Sequence, residues 1–386
     1  MNSPTLRVLM LTDVYFPRIN GVSTSIETFR RDLAAEGIAV RLVAPAYPQR
    51  HDDANTARVP ARRLPFDPED RLMRWSHLRR TTETIAAEGI DLIHIHTPFA
   101  AHYAGTTLAR RHQLPVIATY HTHFEEYIHH YLPVLPRPLL KAAARGLARH
   151  QCDTLNAVIV PSPAMQATLT EYGVTAPMHV LPTGIPIEHF AGGHGSRFRT
   201  TYAIDEKRPM ALYVGRVAHE KNIGFLIEAL SYALWRLPEL LLVIAGEGPA
   251  LPALQRAAQE LGLGDHVRFV GYLNRQDELP DCYAAADVFV FASRTETQGL
   301  VLLEAMAAGL PILAVSHLGT TSIVEPQRGA VVAPDDPEAF GRKLAELAED
   351  RVRLARLSRD ARQFAQSWSA PERARQLAAL YRDLVV

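Results

Sequence analysis

Short apolar runs alternate with amphipathic stretches along nearly the whole chain. Runs at 6–11, 39–44, 91–96, 116–120, 157–160 and 179–181 predict buried strands. Between them, the spacing of apolar residues predicts helices over 22–36, 101–111 and 163–172. The rhythm breaks at 184–201, where Gly192, Gly193, Gly195 and Ser196 read as an interdomain linker. It then resumes with strands at 210–214, 240–245, 267–270, 288–291, 311–315 and 330–332. Helices are predicted at 223–235, 250–261, 299–308 and 337–349. Strands alternating with helices imply βαβ units and parallel sheets. The expected architecture is therefore α/β, with two doubly wound Rossmann-like domains, 1–190 and 200–368, facing a central cleft. Ser369 with Glu372 three residues on forms a capping box, and Pro371 suits an early helical position. This predicts a C-terminal helix over 369–386 that packs back on the first domain.

Length and composition agree with this division. A chain of 386 residues is too long for one ordinary core. Hydrophobic residues make up 47% and charged residues 21%, as in globular proteins. No apolar stretch approaches the roughly 20 residues that span a bilayer, and the first run reads as a buried strand rather than a leader. The two cysteines, Cys152 and Cys282, supply neither a disulfide framework nor a zinc spacing. Reduced thiols in a cytoplasm are expected. Net charge is zero but uneven: residues 1–150 carry 19 Lys and Arg against 14 Asp and Glu, the remainder 22 against 27. This points to an anionic surface as partner of the first half, or to chance spread.

Three local patterns carry chemistry. After the run at 288–291 comes a loop with Glu296, then Gly299 at a helix start and Glu304 inside the helix. Amides of Gly299, Leu300 and Val301 at a helix N-terminus form an anion site suited to a diphosphate. Carboxylates at two depths suit vicinal hydroxyls of a sugar and a ribose, although solvated helix-end charges fit the spacing as well. After the run at 210–214 stand Arg216 and Lys221, two cations able to grip phosphate oxygens and offset leaving-group charge. A surface turn with two basic residues fits equally. Gly21, between the first strand and first helix, permits close approach to phosphate, but no G-x-G-x-x-G is present.

Together these residues resemble glycosyltransferase family 4, which is retaining and has the two-domain GT-B fold. Glu296 and Glu304 match its E-x7-E element, Arg216 and Lys221 its R-x4-K pair, and Gly21 its first-loop glycine. Asn20 departs from the pattern, since many members carry Gly there. Gly246-Glu247-Gly248-Pro249 resembles a family turn, and His121 the histidine of its N-terminal domain. The resemblance runs from residue 16 to about 310. It implies that Arg216 and Lys221 bind the donor diphosphate, that Glu296 binds the donor sugar, and that Glu304 binds the ribose. Gly21 and the amides of Gly299, Leu300 and Val301 would line the phosphates. Tyr272 and Leu273 would flank the base, and His121 would face the transferred sugar. The implied catalytic set is His121, Arg216, Lys221 and Glu296. The sugar nucleotide is a substrate, and neither cofactor nor metal is expected.

Gln298 before the glycine, where the family usually has Phe, is similar to diacylglycerol glucosyltransferases and related lipid glycosyltransferases. Arg137, Lys141, Arg145 and Arg149 recur every four residues, with Leu139, Leu140, Ala143 and Leu147 as apolar neighbours. Such a helix either lies on anionic lipid or packs as an ordinary surface helix. The expected function is retaining transfer of a hexose, first glucose from UDP-glucose, to a lipid such as diacylglycerol. The expected place is the cytoplasm, with peripheral binding at the inner face of its membrane. No nucleic-acid partner is expected. Alternatives are a GDP-mannose-dependent α-mannosyltransferase and a GT-B sugar-nucleotide epimerase. His94 and His96 share one strand face, and His123, His129 and His130 follow His121. No Cys or helical H-x3-H pair joins them into a zinc pattern. Glu125 and Glu126 are read as acceptor-orienting acids or solvated charges.

Overall fold

The computed structural model describes residues 5–48, 53–63, 71–121 and 137–385. The chain forms two compact units. One comprises Met1–Gly184 with Ala370–Val386, the other Ile185–Ser369.

In the first unit the described strands are β1 (Leu6–Leu11), β2 (Ile38–Pro45), β3 (Thr56–Val59), β4 (Ala61–Arg63), β5 (Arg71–Met73), β6 (Leu92–Ile95), β7 (Val116–Thr119), β8 (Ala157–Val160) and β9 (Met178–Val180). The helices described among its residues up to 184 are α1 (Gly21–Leu33), α2 (Trp75–Ala87), α3 (Ala100–His112), α4 (Arg137–Cys152) and α5 (Pro163–Glu171). Among the described residues, seven strands form a parallel sheet in the order β3-β2-β1-β6-β7-β8-β9, and β4 pairs antiparallel with β5. Central strands such as β6 and β8 are buried throughout. That burial explains the unbroken apolar run of β8, and in β6 the one polar residue, His94, is hydrogen-bonded on both ring nitrogens.

The second unit opens with α6 (Ile187–Ala191) and α7 (Gly195–Thr201). Its strands are β10 (Met210–Val214), β11 (Leu241–Ala245), β12 (Val267–Gly271), β13 (Val288–Phe291), β14 (Ile312–Ala314) and β15 (Ala330–Val332). They form a parallel sheet in the order β12-β11-β10-β13-β14-β15. Its other helices are α8 (Ile223–Ala233), α9 (Leu251–Glu260), α10 (Glu278–Ala285), α11 (Leu300–Ala307), α12 (Thr321–Val324), α13 (Pro337–Glu349) and α14 (Arg351–Gln366). In each sheet the strand order reverses once, between β1 and β6 and between β10 and β13. In open α/β sheets, ligands bind beyond the carboxyl ends of strands at such a reversal.

The glycine-rich segment around Gly193 is not a linker. It enters the packed second unit through α6 and α7. A Cβ on Gly193 would stand 2.1 Å from Pro280 O, and one on Gly195 2.5 Å from Ala284 O. These glycines are small because the backbone of α10 passes against them. Arg199, itself buried, donates to the carbonyls of Ala285, Asp205 and Arg208.

The last helix, α15 (Ala370–Val385), belongs to the first unit. It buries Ala374, Leu377, Ala378 and Tyr381 in one cluster with Ile26, Phe29 and Leu33 of α1. Arg382 donates to Glu36 O at 2.5 Å. Full burial of a Leu-sized side chain stabilises by about 2 kcal/mol, so this helix supplies part of the first core.

Candidate active site

Arg216 and Lys221 lie in the loop after β10, and Glu296 in the loop after β13, so they flank the reversal in the second sheet. The first loop is locked to the one after β11 by backbone bonds. Gly215 N donates to Ala245 O, Val217 N to Glu247 O, and Ala250 N to Val217 O. A Cβ on Gly246 would stand 1.9 Å from Gly215 O. The Gly246-Glu247-Gly248-Pro249 turn is therefore glycine-rich because two backbones meet there.

The second loop is held as firmly. Asn222 Nδ2 donates to Ala292 O at 3.2 Å, and Gly319 N to Glu296 O at 2.9 Å. A Cβ on Gly319 would stand 2.0 Å from Thr297 O. Lys221 Nζ then donates to Glu296 Oε1 at 2.6 Å, and Ser293 Oγ donates to the same oxygen at 3.0 Å. The two charged side chains are only 18% and 20% exposed, which overturns their reading as solvated charges. Arg216 stands 3.7 Å from Glu220. Gly299, in the left-handed region at φ +91°, caps the N-terminus of α11. The first-turn amides of that helix, which lack intrahelical acceptors, are those of the predicted anion site.

Glu304 is 1% exposed, so it is no helix-end charge. Arg275 pairs with its Oε1, and Tyr283 OH donates to Oε2 at 2.9 Å. The Arg275 guanidinium also covers the Phe190 ring at 5.7 Å. Burial and the nearby Glu304 hold the Tyr283 phenol well above its ordinary range. Sequence reasoning missed Arg275 and Tyr283. Their one signal was proximity to Tyr272 and Leu273, which follow β12, the first half-exposed and the second buried.

The remaining candidates belong to the first unit. Gly21 is the first residue of α1, and the Asn20 side chain caps that helix by accepting from Ser23 N at 2.9 Å. Nothing lies within 4 Å of a Cβ built on Gly21. Asn20, where the family pattern often has Gly, thus has a capping role of its own.

His121 follows β7, and β7 lies beside β6, so His94, His96 and His121 gather in one place. His96 Nδ1 is 3.0 Å from His121 Nε2, and the rings stack at 5.3 Å. His94 covers His96 at 4.0 Å between centroids. His94 itself bonds Tyr381 OH and Thr119 Oγ1, each at 2.7 Å. Burial pushes His94 and His121 down to about 3, and His96 well below its ordinary value, so all three are neutral near pH 7. Among the described residues no group of three or more His, Cys, Asp or Glu is arranged to hold a metal ion.

Asp13, a buried acid after β1 that sequence reasoning also missed, accepts from Thr97 Oγ1 at 2.7 Å and from Ala101 N at the start of α3. Burial pushes its carboxyl up to about 6, against the pull of these donors.

The basic stripe is borne by α4. Among its described side chains Leu140, Ala144, Ala148, Gln151 and Cys152 are buried, whereas Ala143 and Leu147, two of the apolar neighbours of the stripe, are exposed. Four-residue spacing from Leu140 puts Ala144 and Ala148 inward and leaves Leu147 outside. Arg145 lies 5.2 Å over the Tyr172 ring, and Arg149 3.6 Å from Asp153. The Arg137 side chain lies outside the described residues, as do His123, Glu125, Glu126, His129 and His130. Among the described residues no helix is long and apolar enough to cross a membrane.

Known proteins match this arrangement in both halves. A family model described as Glycosyltransferase Family 4 matches residues 19–189, and one described as Glycosyl transferases group 1 matches residues 196–364. The chain is 34% identical to the alpha-monoglucosyldiacylglycerol synthase of Streptococcus pneumoniae over 80% of its length and 71% of that protein's. The chain belongs to glycosyltransferase family 4. A synthase of the same name from Acholeplasma laidlawii is 25% identical over 98% of both chains. The sucrose-phosphate synthase of Thermosynechococcus elongatus superposes with a TM-score of 0.81 at 23% identity, covering 98% of this chain and 99% of that one. The fold is GT-B, and this family 4 chain is a glycosyltransferase. The epimerase alternative falls with that assignment.

Proposed function

We propose that the enzyme transfers a hexose, with retention, from a nucleoside diphosphate sugar to a lipid acceptor. UDP-glucose is the first-choice donor and diacylglycerol the first-choice acceptor. The observation that carries the donor half is the Lys221–Glu296 pair beside the start of α11, at the strand-order reversal. There a cation and helix amides meet the diphosphate while a carboxylate takes sugar hydroxyls. Arg216 and Lys221 hold the diphosphate, Glu296 the sugar and Glu304 the ribose. Tyr272 and Leu273 flank the base, and Gly21 with the amides of Gly299, Leu300 and Val301 lines the phosphates. His121 faces the transferred sugar. In this reading no metal or cofactor takes part, because the two cations and the helix amides stabilise the leaving diphosphate.

Support for the lipid half comes from the two synthases named above and from α4. On α4, Lys141, Arg145 and Arg149 line one flank, and exposed Leu147 lies on the other. One turn beyond Leu147, Gln151 donates to Pro98 O and Tyr103 OH, next to exposed Phe99 and Tyr103. Cations on one flank of a helix and exposed apolar side chains on the other suit the anionic face of a bilayer. We place the enzyme in the cytoplasm, peripheral to its membrane.

The test is nucleotide release from UDP-glucose, other UDP-sugars and GDP-mannose, with and without diacylglycerol vesicles. Acceptor-dependent release from UDP-glucose supports the proposal. Release from GDP-mannose alone replaces the donor, and release indifferent to diacylglycerol removes that acceptor.

A further inference from the structure

His96 is buried, and its two ring nitrogens have unequal surroundings. Nδ1 stands 3.0 Å from His121 Nε2, whereas Nε2 is buried with no hydrogen-bond partner among the described residues. His96 lines a cavity of about 40 Å³ with His102, Gln151 and Cys152. A neutral imidazole carries one N–H and one lone pair, so two arrangements satisfy the His96–His121 contact. If His121 donates, the His96 proton sits on Nε2 and is left as a buried N–H without a protein acceptor among the described residues. If His96 donates, only a lone pair is left bare, and an unfilled acceptor is more easily tolerated than an orphaned donor. The ring of His94 at 4.0 Å keeps the His96 plane in place. His94 is itself pinned by Tyr381 and Thr119.

We propose that His96 is a positioning residue that donates its Nδ1–H to His121 Nε2, so that His121 carries its own proton on Nδ1. This rests on the reading of His121 as the group facing the transferred sugar. On that reading, His121 meets the sugar as a neutral hydrogen-bond donor to an oxygen. It does not act as a base, because its lone pair is already taken by His96.

Long-range proton–nitrogen correlation on protein labelled with nitrogen-15 histidine reads the tautomer directly, with His121→Ala assigning the signal. The expected result is an Nδ1–H tautomer for His121 in the wild type. An Nε2–H tautomer there overturns the proposal. In kinetics, His96→Gln, which has no donor at the δ position, should lower kcat at least tenfold with donor KM within twofold. His96→Asn, whose amide keeps a δ donor, should recover most of the loss. Equal loss in both variants overturns the positioning role. Should neither fold, the wild-type tautomer alone decides. Wild-type turnover by His121→Ala would instead remove the sugar-facing reading while leaving the tautomer result intact.

Discussion

Lys221 Nζ lies 2.6 Å from Glu296 Oε1, joining across 75 residues the two loops that flank the strand-order reversal of the second sheet. Each group sets the other's position. Lys221→Ala and Glu296→Ala are therefore expected to lower kcat/KM about 100-fold or more, the usual loss when a preorganised charge or donor at a reacting centre is removed. Circular dichroism should stay native. Native-like turnover by both variants would sink the donor-site assignment.

Arg275 closes over Glu304, which is almost fully buried. Arg275→Met leaves that carboxylate without its countercharge. A stability loss of about 3 kcal/mol is expected, together with a raised KM for the sugar nucleotide. Urea unfolding and donor titration read the two effects, and a variant as stable as wild type would show that the pair is dispensable.

Gly319 sits where any larger residue meets the Thr297 carbonyl. Gly319→Ala should displace the Glu296 loop and raise donor KM more than tenfold, with the fold kept. Unchanged KM would mean that the loop yields without moving Glu296.

Asp13 gives a pH signature. Its carboxyl is pushed by burial from 3.8 up to about 6, so folding favours the protonated form. The corresponding stability, about 3 kcal/mol at most, is fully present below pH 4 and is lost as pH rises through 6. Asp13→Asn removes this dependence. Unfolding midpoints of variant and wild type, compared from pH 4 to 7, should shift in the variant's favour as pH rises, and a constant difference would refute the shift.

The α4 stripe is tested on vesicles. Neutralising Lys141, Arg145 and Arg149 should weaken co-sedimentation with anionic vesicles about 100-fold, at roughly 1 kcal/mol per cation. Undiminished binding would move the membrane contact elsewhere.

The sheets were legible because buried parallel strands write unbroken apolar runs. The predicted bounds of β8, β10, β13 and β15 coincide with those observed. The candidate-site loops were legible because Arg216, Lys221, Glu296 and Gly299 fall at strand ends, where chemistry-bearing residues are expected. Arg275 was not, since its partner stands 29 residues away and only tertiary packing brings them together. Asp13 was missed for the same reason: its partners Thr97 and Ala101 lie more than 80 residues on. Gly193 and Gly195 misled because flexibility and close backbone approach demand the same residue. Helix α14 escaped notice although it buries Leu354, Leu357, Ala361 and Phe364 at helical spacing, since five arginines in it dilute the apolar pattern.

The return of α15 to the first unit bears on how the polypeptide is made. The first core takes Ala374, Leu377 and Tyr381 from a segment that leaves the ribosome after the second unit. The first unit therefore cannot close while it emerges; Ile26 and Phe29 wait for a helix that comes only after the whole of Ile185–Ser369 has been synthesised. The second unit has no such debt and is free to fold as it appears, inverting the usual order in which the amino-terminal part of a nascent chain settles first.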